Sequence, residues 1–160
     1  MKFKVGDYIV YKKEVCQIKD IKKGDLDNLY YILKPIDDDS LKIEIPVGNA
    51  FLREPIKKEK INDIIAKIPS ISIIECNEKL IEVEYKNLLY NGDYEDLIKI
   101  IKTTYLRNKR RIDNKKKIGD KDDYYFKKAE KYLYNEFSIA LGKSFDETKE
   151  YIIEQVSLLE

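Results

Sequence analysis

Eight cations stand within one short stretch, RNKRRIDNKKKIGDKD (107–122): Arg107, Lys109, Arg110, Arg111, Lys115, Lys116, Lys117 and Lys121. Only Asp113, Asp120 and Asp122 oppose them, which leaves a local excess of five positive charges (eight minus three). Arginine and lysine at this density can hold a phosphate backbone, because each neutralised phosphate releases condensed counterions. The same residues also suit a solvated link, with cations favoured at the negative end of a helix. Lysine is abundant throughout the chain, so charge alone does not separate the two readings.

Other chemistry is poorly supplied. The chain has no His, which removes the usual general base near neutral pH and the commonest metal ligand. Cys16 and Cys76 are sixty residues apart with no second thiol near either, so a zinc cluster is not expected and two reduced thiols are. Asp37, Asp38 and Asp39 could offer oxygen ligands to Mg²⁺, but before Ser40 they read better as an acidic turn. The six Gly are scattered as turns and caps, so there is no phosphate-cradling loop. Many of the 13 Tyr are expected at core or junction positions. We therefore expect no enzyme, cofactor, metal or small-molecule substrate. The start, MKFKVGDYIVYKKE, is too charged for a signal peptide, and no apolar run is long enough to span a membrane, so a cytoplasmic protein is expected. Net charge is only +1, so any contact with nucleic acid must come from local segregation of charge.

Two kinds of element must position these groups. Residues 7–11, 15–21, 29–35 and 41–47 read as short strands, separated by turn-forming residues. LKIEIPV alternates, with Leu41, Ile43, Ile45 and Val47 inward and Lys42 and Glu44 outward. After Pro55 the period lengthens to that of a helix. Ile61, Ile64, Ile65 and Ile68 mark one helix; Leu80, Val83 and Leu88 a second; Leu97, Ile98, Ile101 and Tyr105 a third, capped by Asp93. Phe126, Ala129, Leu133, Phe137, Ala140 and Leu141 mark a fourth that ends at Gly142, and Ser144 with Glu147 has capping-box spacing for a fifth. The predicted class is α+β: a small antiparallel β barrel over 1–55, then a bundle of about five helices over 56–160. LKIEIPV could also be an edge strand, able to accept a strand from another protein or simply protected by its charges.

FKVGDYIVY, VCQIKDI, YYILKP, KIEIPVGNA and LR, in that order and spacing, resemble the CarD-like family of bacterial transcription regulators. In that family the first module is similar to the RNA-polymerase-interacting domain of transcription-repair coupling factors. NGDYEDLIKIIKTTYLRNKRR and DKDDYYFKKAEKYLYNEFSIALG look like the family's helical domain. The resemblance implies a Tudor-like β module that binds the β subunit of RNA polymerase through the strand Lys42, Ile43, Glu44 and Ile45. It also implies a helical domain touching promoter DNA near the upstream edge of the bubble, and so tuning open-complex stability. Lys128 is the best-matched DNA-facing cation. Arg107, Lys109, Arg110 and Arg111 are added on charge, and Lys79 and Lys86 flank the segment in which some members carry a Trp wedge. That wedge would fall near Glu78, and this chain has no Trp. Tyr105 matches a different aromatic and is read as core. Some members also have a basic residue where this chain has Glu44. The alternative is a polymerase adaptor that touches protein only.

Overall fold

In a computed structural model, which describes residues 2–159, five strands are followed by five α-helices. The chain divides into two compact units, one ending at Ile56 and the other beginning at Lys57.

The strands are β1 (Tyr8–Tyr11), β2 (Glu14–Lys23), β3 (Leu29–Pro35), β4 (Ile43–Pro46) and β5 (Leu52–Arg53). They make one antiparallel sheet in the order β4-β3-β2-β1-β5. The expected barrel is not closed: β4 and β5 lie at opposite edges, and the two-residue β5 pairs only with β1. Phe3, Ile9, Cys16, Ile18, Tyr31, Leu33, Ile45 and Leu52 form the core of this unit, with Tyr11, Ile21, Ile43 and Val47 packed against it. Each aliphatic side chain fully removed from water here contributes about 1.5–3 kcal/mol. Strict alternation would put Ile21 on the face opposite Cys16 and Ile18. A bulge between Ile18 and Asp20 shifts the register by one residue and returns Ile21 to the core side. Leu41, expected inward, lies before β4 and is 46% exposed. The β1–β2 hairpin turns on Lys12 and Lys13, both at positive φ (48° and 74°), a conformation usually supplied by Asn and Gly. The buried Tyr31 hydroxyl accepts from the Phe3 N–H and donates to the Phe3 carbonyl, both at 3.2 Å, which ties the N-terminal segment to β3.

The helices are α1 (Lys58–Lys67), α2 (Ile81–Asn91), α3 (Tyr94–Asp113), α4 (Asp120–Leu141) and α5 (Phe145–Leu159). Asp93 caps α3 in a reciprocal box with Asp96. Gly142 ends α4 in the left-handed conformation at φ 62°, where a Cβ would be strained. Ser144 and Glu147 exchange hydrogen bonds of 3.1 and 2.9 Å at the start of α5. Two helical phases differ from expectation. In α2 the buried face is Ile81, Tyr85 and Leu89, while Leu80 and Val83 are 56% and 63% exposed. In α3 Tyr105 is 56% exposed rather than core. Among the described residues no helix is long and apolar enough to cross a membrane.

Candidate functional site

In the β unit, the feature that can engage a partner is the outer edge of β4. The Val47 N–H donates to the Leu29 carbonyl at 3.1 Å, so Ile43, Ile45 and Val47 turn their main-chain groups toward β3. By antiparallel alternation, Lys42, Glu44 and Pro46 turn theirs outward. Pro46 has no donor, and its carbonyl accepts from the Asn49 N–H at 3.0 Å. An incoming strand therefore meets the main chain of Lys42 and Glu44. Their side chains are 52% and 57% exposed and pair across 3.5 Å. Ile43 and Ile45, the other two residues of the expected contact strand, hold β4 down by packing against the core.

In the helical unit, the cationic stretch splits into two populations. Asp122, in the first turn of α4, is only 2% exposed at its side chain. One of its oxygens accepts from the Tyr85 hydroxyl at 2.7 Å. The other accepts from Arg107 Nε at 2.9 Å and Arg111 Nη1 at 2.6 Å. The Arg107 terminal nitrogens grip Glu78 at 2.5 and 3.1 Å, a two-point fork on a carboxylate. Arg111 Nη1 also donates to Asn108 Oδ1, which in turn accepts from the Gly119 N–H at 2.8 Å. α2, α3, α4 and the turn at Asn77–Leu80 thus meet around one buried carboxylate.

The electrostatics follow from these contacts. Burial alone would raise the Asp122 pKa. Hydrogen bonds from Tyr85, Arg111 and Arg107 outweigh it and hold the carboxyl below its ordinary value. Burial, then the hydrogen bond to Asp122, pushes the Tyr85 hydroxyl far up. The hydrogen bond from Arg107 lowers Glu78, and the bond to Glu78 raises Arg107. Tyr125 stacks beside Tyr85 at 5.1 Å and donates to Glu82 at 3.3 Å; burial, then Glu82, raises its pKa to about 12.

The remaining expected DNA contacts are dispersed. Lys109 and Arg110, on the last turns of α3, are exposed and make no ion pair among the described residues. Lys79 and Lys86 are exposed at and on α2 respectively. Lys128 is half-buried on α4, its ammonium 3.4 Å from the Tyr132 hydroxyl. Lys115, Lys116 and Lys117 lie exposed in the connection between α3 and α4. The partners missed from sequence are Glu78, Tyr85 and Asp122. Nothing local marks Asp122 as buried, because an acid in the first turn of a helix has an ordinary explanation in the helix dipole.

No metal-ligating group of three His, Cys, Asp or Glu forms among the described residues. At the acidic turn, Asp38 caps Ser40 through its N–H at 3.0 Å and its hydroxyl at 2.6 Å. Cys16 is buried and Cys76 exposed, and neither forms a disulfide among the described residues. A groove of about 460 Å³ in the helical unit is lined mainly by apolar side chains such as Ile98, Ile101, Phe126 and Leu133. On its wall the Lys149 ammonium pairs with Glu130 at 3.0 Å.

Residues 3–58 match the family model of the CarD-like/TRCF RID domain. This module is therefore similar to the CarD-like/TRCF RID domain. The RID domain is an RNA-polymerase-interacting domain, which connects residues 3–58 with transcription. The match covers all five strands and stops at the start of α1, so it describes the RID sheet and leaves the helical unit to be read from its own residues. No curated protein matches the chain.

Proposed function

We propose that this protein is a non-enzymatic, cytoplasmic transcription regulator that bridges RNA polymerase and promoter DNA. The outer edge of β4 pairs with a strand of the polymerase β subunit, in the manner of a Tudor-like module, and the helical unit lies against DNA near the upstream edge of the bubble. Holding both at once lengthens or shortens the life of the open complex. The observation that carries this reading is an RID sheet with a free edge at the residues expected to bind polymerase.

Capture of the polymerase β subunit by the full chain tests the first contact. Failure of the folded protein to bind would refute it. For the second contact, Lys109, Arg110 and Lys128 are reversed to Glu together, sparing the two arginines on which the fold relies. A DNA contact predicts an altered open-complex lifetime, a weaker dependence on salt and unchanged binding to polymerase.

A second reading has its own support. Arg107 and Arg111 already hold carboxylates, and the chain has no Trp. Both facts favour a polymerase adaptor that touches protein only. Unchanged open-complex lifetime in the triple reversal, with polymerase binding intact, selects that reading.

A further inference from the structure

Glu78 is an unusual partner for a well-anchored arginine. Its side chain is 74% exposed, whereas that of Arg107 is only 21% exposed. Arg107 is fixed from behind through Nε by the buried Asp122, which also fixes Arg111. The two terminal nitrogens of Arg107 face outward, and among the described residues they hold the carboxylate oxygens of Glu78. Arg111 contributes a second positive field at Glu78. The cluster of Arg107, Arg111, Asp122 and Glu78 is neutral, two charges of each sign. Without Glu78 it carries one positive charge, on a guanidinium already oriented. Planar two-point donation of this kind suits a phosphate as well as a carboxylate.

Glu78 is also the member best able to leave. It sits in the turn at Asn77–Leu80, and its hold on the cluster is through its side chain alone. A rotamer change moves the carboxylate into water without disturbing a buried group.

We propose that Arg107 and Arg111 form a preformed phosphate site in which the Glu78 carboxylate stands in for two phosphate oxygens, and that an arriving phosphate displaces it. This rests on the DNA-contact reading for the source of the phosphate, and it makes Glu78 a built-in competitor of nucleic acid. The consequence runs against simple charge counting. Arg107 can serve in DNA binding even though it is fully paired in the free protein, and the acid beside it sets the affinity.

The experiment compares the full chain with Glu78→Gln and Glu75→Gln. Glu75 is exposed in the same segment, so its substitution makes the same charge change without touching Arg107. Binding is measured with a short duplex oligonucleotide and separately with sodium pyrophosphate. The Glu78 carboxyl carbon is followed by NMR through a pH titration with and without each probe. The expected result is about three- to tenfold tighter duplex binding for Glu78→Gln and less than about twofold for Glu75→Gln. In the wild type, saturating duplex should return the Glu78 carboxyl from its lowered value toward the ordinary one. Equal effects of the two substitutions, or an undisturbed Glu78 carboxyl while duplex binds, overturn the proposal and leave the DNA reading standing. Release of Glu78 by pyrophosphate with no binding of duplex supports the site, assigns it to free phosphates and removes the DNA reading. Silence of Glu78 toward both probes overturns the proposal.

Discussion

Replacing Asp122 by Asn isolates the charge at the centre of the helical unit. The amide has nearly the same shape, so no cavity opens. Its oxygen can still accept from Arg107 and Arg111, and its NH₂ can donate to the Tyr85 hydroxyl, which rotates to accept. What is lost is the negative charge opposite two guanidiniums whose side chains are 21% and 30% exposed. Removing one partner of a buried ion pair costs about 3–5 kcal/mol. Partial rehydration of the two arginines places the expected loss at the lower end, about 3 kcal/mol. Because the chain has two units, the readout is urea unfolding followed by the helical circular dichroism signal, which reports chiefly on the all-helical unit.

The pH dependence supplies a second check with a definite sign. Asp122 titrates lower in the folded protein than in the unfolded chain, where an aspartate titrates near about 3.9. Its stabilisation is therefore fully present above that pH and is lost as the pH falls through the lower folded value. The gap between wild type and Asp122→Asn should be constant near neutrality and close in acid. A loss under about 1 kcal/mol at neutral pH, or a gap that widens in acid, would falsify the view that this carboxylate organises the helical unit.

Three further outcomes follow from single contacts. Glu44→Pro removes a donor that faces away from β3, so capture of the polymerase β subunit should fall at least about tenfold while the sheet loses no more than about 1 kcal/mol; retained capture would exclude strand pairing at this edge. Tyr31→Phe deletes the hydroxyl that holds Phe3 at 3.2 Å and should cost about 1–2 kcal/mol in chemical denaturation, with faster amide exchange at Phe3. Lys13→Gly relieves a side chain at φ 74° and should raise the stability of the sheet by about 0.5–1 kcal/mol; a loss there would mean that the contacts of Lys13 outweigh the backbone strain.

Sequence patterning was enough for the order of the first four strands and of the helices, for the change of period near Pro55, and for the caps at Asp93, Gly142 and Ser144; the two-residue β5 is too short to show a pattern. These depend on neighbours within a few residues, where spacing and side-chain chemistry act directly. The RID resemblance was legible for the same reason: its residues come in one continuous run. Phase was less secure. One inserted residue at the β2 bulge reverses inward and outward, and a rotation of α2 by one position exchanges Leu80 and Leu88 for Ile81 and Leu89. Both are decided by which face meets a distant element.

The candidate site was read least well, because its chemistry is made between residues far apart. Arg107, Asp122, Tyr85 and Glu78 come from four places in the chain, and only the fold brings them within hydrogen-bond distance. The sequence determined that residues 107–111 would be strongly basic and would lie at the end of a helix. Tertiary structure decided which of these cations stay in water. It turned Arg107 and Arg111 inward, where a buried carboxylate offsets their desolvation, and left Lys109 and Arg110 on the outer face of the same helix. A helix repeats its faces every three to four residues, so adjacent arginines and lysines cannot all share one environment.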